Sequence, residues 1–324
     1  MKHSLYPLKF QPILKEKIWG GEKLKTFLKK PLNHDNIGES WELSSVDGAI
    51  SIVSNGYYKG TSLNKLLKDY GKELLGNKNH QLFGNKFPLL IKFIDAKKDL
   101  SVQLHPDDKL AKKRHDSLGK TEMWYVIQAD EGARLMVGFN QKMDSKTYLK
   151  HLNEKTLPAI LNVDEVDHGD TYFIEAGRIH AIGGGVLLAE IQQTSDVTYR
   201  VYDWDRKDAN GNERELHNDI AIDAFNFEMD DDFRISYKKA ENNSNSMVIC
   251  PYFTTNFIPV KGIIQKKNDK DSFIIYICVD GEAEIITYDH KEVLKTGETV
   301  LLPARLSTYS INSKSAKLLE VYID

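Results

Sequence analysis

The stretch GDTYFIEAGRIHAI, residues 169–182, combines a short run of β-forming residues with two glycines and a histidine. Tyr172, Phe173 and Ile174 favour a strand, and Gly177 allows the tight turn that follows. The chain then enters a second run that begins near His180. A strand, a glycine turn and a second strand in this order would point the imidazole into a barrel or sandwich.

Further runs of β-forming residues surround this stretch, separated by Gly, Pro and Asp. They are FPLLIKFID (87–95), LSVQLHP (100–106), EMWYVI (122–127), VLLAEIQQT (186–194) and VTYRVYDW (197–204). This spacing predicts an antiparallel β-sandwich or barrel with helical decoration. Residues 61–75 carry apolar residues at helical spacing, with Thr61 or Ser62 as the N-cap. Residues 144–152 and 215–225 are further helix candidates.

Composition and charge exclude several classes of protein. Lys and Arg total 44 and Asp and Glu 47 among 324 residues, a net charge of −3 that argues against a nucleic-acid partner. No apolar run approaches the ~18 residues of a membrane helix, and the start lacks the apolar region of a signal peptide. Two cysteines do not make a disulfide framework. We expect a cytoplasmic globular protein with no membrane partner, as a monomer or homodimer.

A polar segment, KKAENNSNS at residues 238–246, has the composition of a linker. It predicts two domains, residues 1–240 and residues 247–324. The second is rich in strands, and FIIYICVDGEAEIITY (273–288) predicts a hairpin that turns at Asp280 and Gly281.

Polar residues interrupt the strand pattern in LSVQLHP. Ser101, Gln103 and His105 alternate there, so a strand would point all three side chains to one face. An ordinary polar surface is the alternative interpretation. Glu122 lies in KTEMWYVI and would share a strand face with Lys120. The alternative interpretation of Lys120 and Glu122 is a salt bridge at the edge of a strand.

Four of these side chains form a candidate metal site in combination. Two imidazoles, a carboxylate and an amide oxygen suit Zn²⁺, and also Fe²⁺ or Mn²⁺. The predicted ligands are Gln103, His105, Glu122 and His180.

The spacing of these residues fits the cupin motifs. Gly169, Gly177 and His180 match the second motif, G-x5-P-x-G-x2-H, with Glu175 in the place of its proline. Gln103-x-His105 stands in the place of the His-x-His of the first motif. The acidic residue, Glu122, lies further along the sequence than this motif normally has it. We therefore predict a mainly β fold with a cupin domain, a double-stranded β-helix or jelly roll, that carries helical insertions.

The C-terminal region repeats part of the same motif. Gly297 and Pro303 have the cupin spacing, but Arg305 and Thr308 stand where the motif has its Gly and His. This region cannot complete the same metal set. We predict a second, degenerate cupin-like β domain.

Three further charges stand inside apolar strands, namely Lys92, Glu190 and Arg200. A buried charge is costly unless it is paired or used in function. One interpretation is structural ion pairs. The other is a polar cavity inside the barrel that holds an anionic substrate.

Seven stretches between residues 18 and 206 closely resemble those of the type I phosphomannose isomerases, a cupin family. They are IWGG, LLIKFIDA, LSVQLHPDD, KTEMWYV, AGRIHAI, AEIQQTSDVTYR and YDWDR. LSVQLHPDD followed by EMWYV is specific to this family among cupins. At 324 residues, the chain is similar to its short bacterial members.

The resemblance implies one zinc ion per chain, held by the four predicted ligands. It implies that Ser101 and Lys92 hold a substrate phosphate. It also implies active-site positions for Lys120, Glu190 and Arg200, although Ser195-Asp196-Val197 departs from the SDN of longer relatives. Arg206 is the alternative to Arg200 for this active-site position.

The implied reaction interconverts mannose 6-phosphate and fructose 6-phosphate through a cis-enediol, so the expected partner is a phosphosugar substrate. Arg200 would stabilise the enediolate, while Lys120 and Glu190 would act in proton transfer or ring opening. The sequence leaves the catalytic base open among Lys120, Glu190 and His105. Two alternatives belong to other classes. One is a metal-dependent cupin oxygenase, because two His and a carboxylate also bind Fe²⁺. The other is a non-catalytic phosphosugar-binding cupin.

Overall fold

The computed structural model describes residues 3–31, 34, 36–207, 211–230 and 232–324. The strands of these residues are, in chain order, β1 (Ile13–Gly21), β2 (Ile37–Leu43), β3 (Ser45–Val46), β4 (Ala49–Ile50), β5 (Leu89–Ala96), β6 (Val102–Leu104), β7 (Glu122–Ala129), β8 (Arg134–Phe139), β9 (Leu161–Glu165), β10 (Thr171–Ile174), β11 (His180–Ile182), β12 (Val186–Gln193), β13 (Tyr199–Tyr202), β14 (Asn245–Ile249), β15 (Thr254–Lys267), β16 (Ile274–Ile286), β17 (Lys291–Lys295), β18 (Thr299–Leu302) and β19 (Thr308–Tyr322). The α-helices are α1 (Lys23–Thr26), α2 (Leu63–Leu75), α3 (Asn77–Phe83), α4 (Asp108–His115), α5 (Ser145–Asn153) and α6 (Asn218–Ala221), and a 3₁₀-helix covers Leu157–Ile160.

Two antiparallel sheets face each other and form the predicted sandwich. The first has the strand order β1-β2-β5-β12-β7-β10, and the second has the order β13-β6-β11-β8-β9. Their facing sides share one hydrophobic cluster, in which Trp124 and Leu188 of the first sheet pack with Leu135 and Ile182 of the second. The prediction of a mainly β fold is confirmed.

Successive side chains of a strand point to opposite faces, so the two faces of the first sheet pack against different residues. In β7, Trp124 belongs to the cluster between the sheets, whereas Met123 belongs to a cluster on the opposite face. Glu122 therefore starts its strand on the inner side. Strand β12 pairs with β5 and β7 so that Glu190 lies opposite both Lys92 and Trp124. These registers bring the buried charges together between the sheets.

The third sheet packs on the opposite side of the first sheet. Its order is β14-β15-β19-β16-β17, and β18 also pairs with β16. One hydrophobic cluster joins Phe93 of the first sheet, Leu66 of α2, and Phe257 and Leu319 of the third sheet. The domain limits 1–240 and 247–324 stay predictions.

Helices α2 and α5 form where the sequence predicts them. The Ser62 hydroxyl accepts a hydrogen bond from the Lys65 backbone N–H at 3.3 Å and caps α2. The Asp144 carboxylate accepts one from the Thr147 backbone N–H at 2.7 Å and caps α5. Each cap satisfies an amide that the first helical turn cannot bond.

The helix predicted over residues 215–225 is wrong in extent, because α6 covers only Asn218–Ala221. The residues before it bind β13 instead. The His217 backbone N–H donates to the Arg200 carbonyl at 2.7 Å, and the Glu215 carbonyl accepts from the Arg200 side chain at 2.9 Å. This tertiary pairing engages the Glu215 carbonyl, which a helix that began at residue 215 would bond within its own first turns.

The hairpin predicted at Asp280 and Gly281 is also wrong. Both residues lie inside the continuous strand β16, where they pair with Lys317 and Ala316 of β19. The register shifts just before Asp280, and Gly281 adopts a φ of +79°. A G1 bulge and a type I′ hairpin turn both place a glycine in this left-handed geometry, so the same Asp-Gly pair suits either.

The N-terminal segment lies against the third sheet. Leu8 and Leu301 exchange two backbone hydrogen bonds, each 2.8 Å long. Both side chains are fully buried. Among the described residues, no helix has the length and apolar content that crossing a membrane requires.

Candidate active site

His105, Glu122 and His180 meet between the first and second sheets. Glu122 opens β7, His180 opens β11, and His105 follows β6 directly. The Glu122 carboxylate lies 3.6 Å from His105 Nε2 and 3.5 Å from His180 Nε2. All three side chains are almost entirely buried. The structure thus brings together three of the four predicted metal ligands, with one donor atom of each within 4.8 Å of the others.

Gly177 sets the turn that delivers His180. Its φ of +85° is left-handed, and a Cβ atom built there would lie 2.3 Å from the Ala224 carbonyl oxygen. Its backbone N–H donates to the His105 carbonyl at 2.7 Å. The glycine turn therefore ties the segment of one histidine to the segment of the other.

Main-chain carbonyls orient both imidazoles. His105 Nδ1 lies 3.0 Å from the Val197 carbonyl oxygen, and His180 Nδ1 lies 2.9 Å from that of Arg178. A carbonyl can only accept, so each Nδ1 carries the hydrogen and each Nε2 presents a lone pair. Burial lowers the pKa of His180 to about 4 and that of His105 well below its ordinary value. Both rings are therefore neutral at pH 7.

The donor set fits a metal ion. His105 Nε2 and Glu122 Oε1 are buried and have no hydrogen-bond partner among the described residues. Such atoms are costly to bury unless something binds them. Two neutral imidazoles held through Nδ1, with a carboxylate beside them, are the arrangement that metal sites use.

Gln103 adjoins this group from β6. Its Nε2 lies 3.3 Å from His180 Nε2. A half-turn of the amide would present its carbonyl oxygen in the same place, since the two amide atoms are related by that rotation. Gln103 also lines the cavity described below. The alternative of an ordinary polar surface on β6 does not hold for His105, which is buried.

Glu190 is the centre of a buried ion-pair network. Its Oε1 lies 3.0 Å from Lys92 Nζ and 3.8 Å from Lys120 Nζ, and its Oε2 accepts from Trp124 Nε1 at 3.0 Å. Burial alone would raise the pKa of Glu190, but the two ammonium groups outweigh it and lower the pKa. Glu190 is therefore a carboxylate at neutral pH.

Lys120 links this network to the candidate metal ligands His105, Glu122 and His180. Its Nζ lies 3.0 Å from Glu122 Oε2. Burial alone would lower the pKa of Lys120, but the carboxylates of Glu122 and Glu190 outweigh it and raise the pKa. Both partners of the Lys120–Glu122 pair are buried, so a strand-edge salt bridge is not what forms. Burial, and then the charge of Glu190, raises the pKa of Glu122.

A cavity of about 260 Å³ opens beside these residues. The predicted residues Lys92, Ser101, Gln103, Lys120, Glu190 and Arg200 all line it. Arg200 donates from Nε to Ser101 Oγ at 3.4 Å. Arg206, the competitor of Arg200, is not among the lining residues, and its guanidinium binds Asp203 and the Asp99 carbonyl instead.

Sequence reasoning missed several residues that line this cavity, namely Lys17, Trp19, Glu39, Trp41, Thr198 and Arg214. A signal was available for Glu39 and Trp41, because they alternate in GESWEL and so share one face of β2. No local pattern points to Arg214, whose position depends on the loop after β13.

The comparisons with known proteins agree with this geometry. Residues 7–132 match the family described as phosphomannose isomerase type I, catalytic domain, and residues 243–323 match the mannose-6-phosphate isomerase cupin domain. The chain is 35% identical over 309 residues to mannose-6-phosphate isomerase ManA of Bacillus subtilis, which covers 94% of this chain and 95% of that protein. The chain belongs to the type I phosphomannose isomerase family. The mannose-6-phosphate isomerase of Streptococcus mutans is 33% identical, over 94% of this chain and 95% of that protein.

The solved structures extend the comparison to the whole fold. The crystal structure of the mannose 6-phosphate isomerase from Bacillus subtilis has a TM-score of 0.89 at 32% identity, covering 98% of this chain and 99% of that one. A putative mannosephosphate isomerase from Archaeoglobus fulgidus shares the fold, with a TM-score of 0.81 at 24% identity. The predicted cupin fold and the predicted enzyme class, an aldose–ketose isomerase, are confirmed. The oxygenase and the non-catalytic sugar-binding protein are not favoured.

Proposed function

We propose that this protein interconverts mannose 6-phosphate and fructose 6-phosphate with the help of one bound zinc ion. The observation that carries the proposal is the buried group of His105, Glu122 and His180, which adjoins a cavity lined by several cations. A cavity of that charge suits a phosphosugar, and the relatives named above are isomerases of mannose 6-phosphate.

The metal site would use His105, Glu122 and His180, with Gln103 as the fourth ligand. A metal ion bound there supplies Lewis acidity toward the sugar oxygens. Two imidazole nitrogens and oxygen donors suit zinc, which accepts such mixed sets in four-coordinate sites.

The reaction moves a proton from C2 of the open-chain aldose to C1 through an enediol. We assign Lys120, an ammonium held by two carboxylates, to give a proton to the sugar oxygen during ring opening. Glu190 is the carboxylate available to accept a proton nearby. Arg200 reaches the cavity as a fixed cation and would stabilise the negative charge that develops on the enediolate.

The substrate phosphate would bind Ser101 and Lys92. Ser101 already accepts a hydrogen bond from Arg200, so its hydroxyl lies beside a cation. The Lys92 ammonium has three N–H donors, of which one bonds Glu190, and the described residues show no further hydrogen bond from it.

A coupled assay with mannose 6-phosphate tests the proposal. We expect turnover that is lost on chelation and restored by zinc, with manganese and ferrous ion as parallel additions. Restoration by manganese alone would exclude zinc as the working metal, and an inactive protein with one zinc ion per chain would refute the reaction. Light scattering tests the predicted monomer or homodimer, and cell fractionation tests the predicted cytoplasmic location.

A further inference from the structure

Arg214 lies at the wall of the candidate active-site cavity although the sequence places it well beyond β13. The link is made by its neighbours in the chain. The Glu215 carbonyl accepts a hydrogen bond from Arg200 Nη1 at 2.9 Å, and His217 Nδ1 accepts one from the Arg200 backbone N–H at 3.0 Å. These contacts hold residues 214–217 against β13 and put Arg214 beside Arg200 in the lining of the cavity.

Asp203 fixes the orientation of the Arg214 guanidinium. Arg214 Nε donates to Asp203 Oδ2 at 2.6 Å, and Arg214 Nη2 donates to Asp203 Oδ1. Asp203 is buried and Arg214 is about one third exposed, with 30% of its side-chain surface accessible. Asp203 thus occupies the Nε–Nη2 edge of the planar guanidinium. Among the described residues, no hydrogen bond is seen from Nη1, on the other side of the group.

The charges around Arg214 favour an anion. Lys92 and Lys120, the other deep cations of the cavity, are both paired with Glu190 or Glu122. Burial, and then the positive charge of Arg214, lowers the pKa of Arg200. Arg214 therefore adds a second positive charge close to Arg200, and an anionic group bound beside Arg214 would offset the repulsion between the two cations.

We propose that Arg214, oriented by Asp203, joins Ser101 and Lys92 in binding the phosphate group of the substrate. The inference rests on the proposed function, since it assigns one more binding residue to the same site. It makes Arg214 a determinant of preference for phosphorylated over free sugars. Asp203 is then a positioning residue, because it acts on the phosphate through Arg214.

Arg206 offers a matched control within the same cluster. It also pairs with Asp203, and its Nη1 donates to the Asp99 carbonyl at 2.6 Å, but it does not line the cavity. Arg214→Ala and Arg206→Ala each remove one arginine from Asp203, so a merely structural effect should appear in both.

The test measures KM for mannose 6-phosphate and the competitive inhibition constant of inorganic phosphate. Losing a hydrogen-bonded cation from a phosphate site weakens binding about 10-fold or more. We expect Arg214→Ala to raise both constants by that factor with a small change in kcat, while Arg206→Ala changes them less than about 3-fold. Equal effects of the two variants, or unchanged constants in Arg214→Ala, would overturn the assignment.

A thermal unfolding assay with added inorganic phosphate separates this inference from the proposed function. If phosphate raises the unfolding temperature of the wild type and of Arg206→Ala but not of Arg214→Ala, the anion site stands even if no isomerisation is found. If the wild type turns over mannose 6-phosphate but phosphate stabilises all three proteins alike, the reaction stands and the role of Arg214 is refuted.

Discussion

Replacing Lys92 by methionine removes an ammonium group from between the two main sheets and keeps an unbranched side chain of similar length. Lys92 Nζ lies 3.0 Å from Glu190 Oε1, and the two side chains are only 7% and 4% exposed. We expect Lys92→Met to fold but to lose stability, because Glu190 remains a buried carboxylate with one cation fewer.

The size of the loss follows from the distances. At an effective dielectric constant of about 20, charges at the 3.0 Å of the Lys92–Glu190 pair attract by ~5.5 kcal/mol. Lys120, at 3.8 Å, still supplies ~4.4 kcal/mol to Glu190. Removing Lys92 also removes the several kcal/mol that burying its ammonium costs. The expected net decrease in the free energy of unfolding is ~3 kcal/mol, typical of deleting one partner of a buried pair.

The measurement is urea unfolding followed by tryptophan fluorescence. A chelator is present throughout, so that metal binding does not add to the stability of the folded state. Glu190→Gln and the double variant complete a cycle, for which we expect a coupling free energy of ~2 kcal/mol. Lys17→Met is the control. Lys17 pairs with Glu39 at 3.0 Å on the same cavity but is 34% exposed, so its loss should cost less than ~1 kcal/mol.

Two results would refute this reasoning. One is a destabilisation by Lys92→Met no larger than that of Lys17→Met. The other is additivity of Lys92→Met and Glu190→Gln within ~0.5 kcal/mol, which would mean that the two charges do not interact. The same variant tests the proposed phosphate contact separately, since KM for mannose 6-phosphate should rise only if Lys92 also touches the substrate.

Three other perturbations follow from the structure. Glu122→Gln removes the only carboxylate of the predicted ligand set and should weaken metal binding at least ~10-fold, measured as metal per chain after dialysis; full retention of one ion would exclude Glu122 as a ligand. Burial would raise the pKa of Glu320, but Lys266, whose Nζ lies 2.7 Å from it, outweighs burial and lowers the pKa. The stability that Glu320 contributes is therefore fully present above the ordinary glutamate pKa and is lost as the pH falls through its lowered pKa. Glu320→Gln should lower the free energy of unfolding by ~3 kcal/mol at pH 7 and by progressively less in acid. Gly281→Ala should destabilise more than Gly48→Ala, because both glycines have a φ of +79° but only at Gly281 would the new Cβ meet a carbonyl oxygen, that of Ser315 at 2.2 Å; equal losses in thermal unfolding would contradict that account.

Strand periodicity predicted which side chains of the candidate metal site lie close together, while their role as ligands stays a prediction. The alternation in LSVQLHP predicts Gln103 and His105 on one side, and both lie near His180, which the glycine turn delivers to the same place. Such positions follow from local rules, because a strand has a period of two residues and neighbouring strands fix each other's register. The two interpretations of Lys92 and Glu190 also turn out to be compatible, since the two residues pair with each other and line the cavity.

The features that sequence reasoning missed depend on contacts between distant segments. Arg214 reaches the cavity only because Asp203 holds its guanidinium and Arg200 holds the following backbone. The carbonyl of Val197 orients His105, and a carbonyl carries no signature in a sequence. The Asp280–Gly281 pair has turn chemistry, but the long partner strand β19 keeps it inside β16. In each case tertiary structure selects among conformations that the local residues permit equally.

The pairing of Leu8 with Leu301 has a consequence for synthesis of the chain. Leu8 finds its backbone partner in β18, which the ribosome makes almost last, whereas Lys9 and Phe10 pair with Ser54 and Val53. The Leu8 side chain, fully buried in the finished protein, therefore reaches its final surroundings only late in translation. Until β18 is made, Leu8 lacks this backbone partner, and transiently exposed apolar side chains of this kind are what chaperones bind.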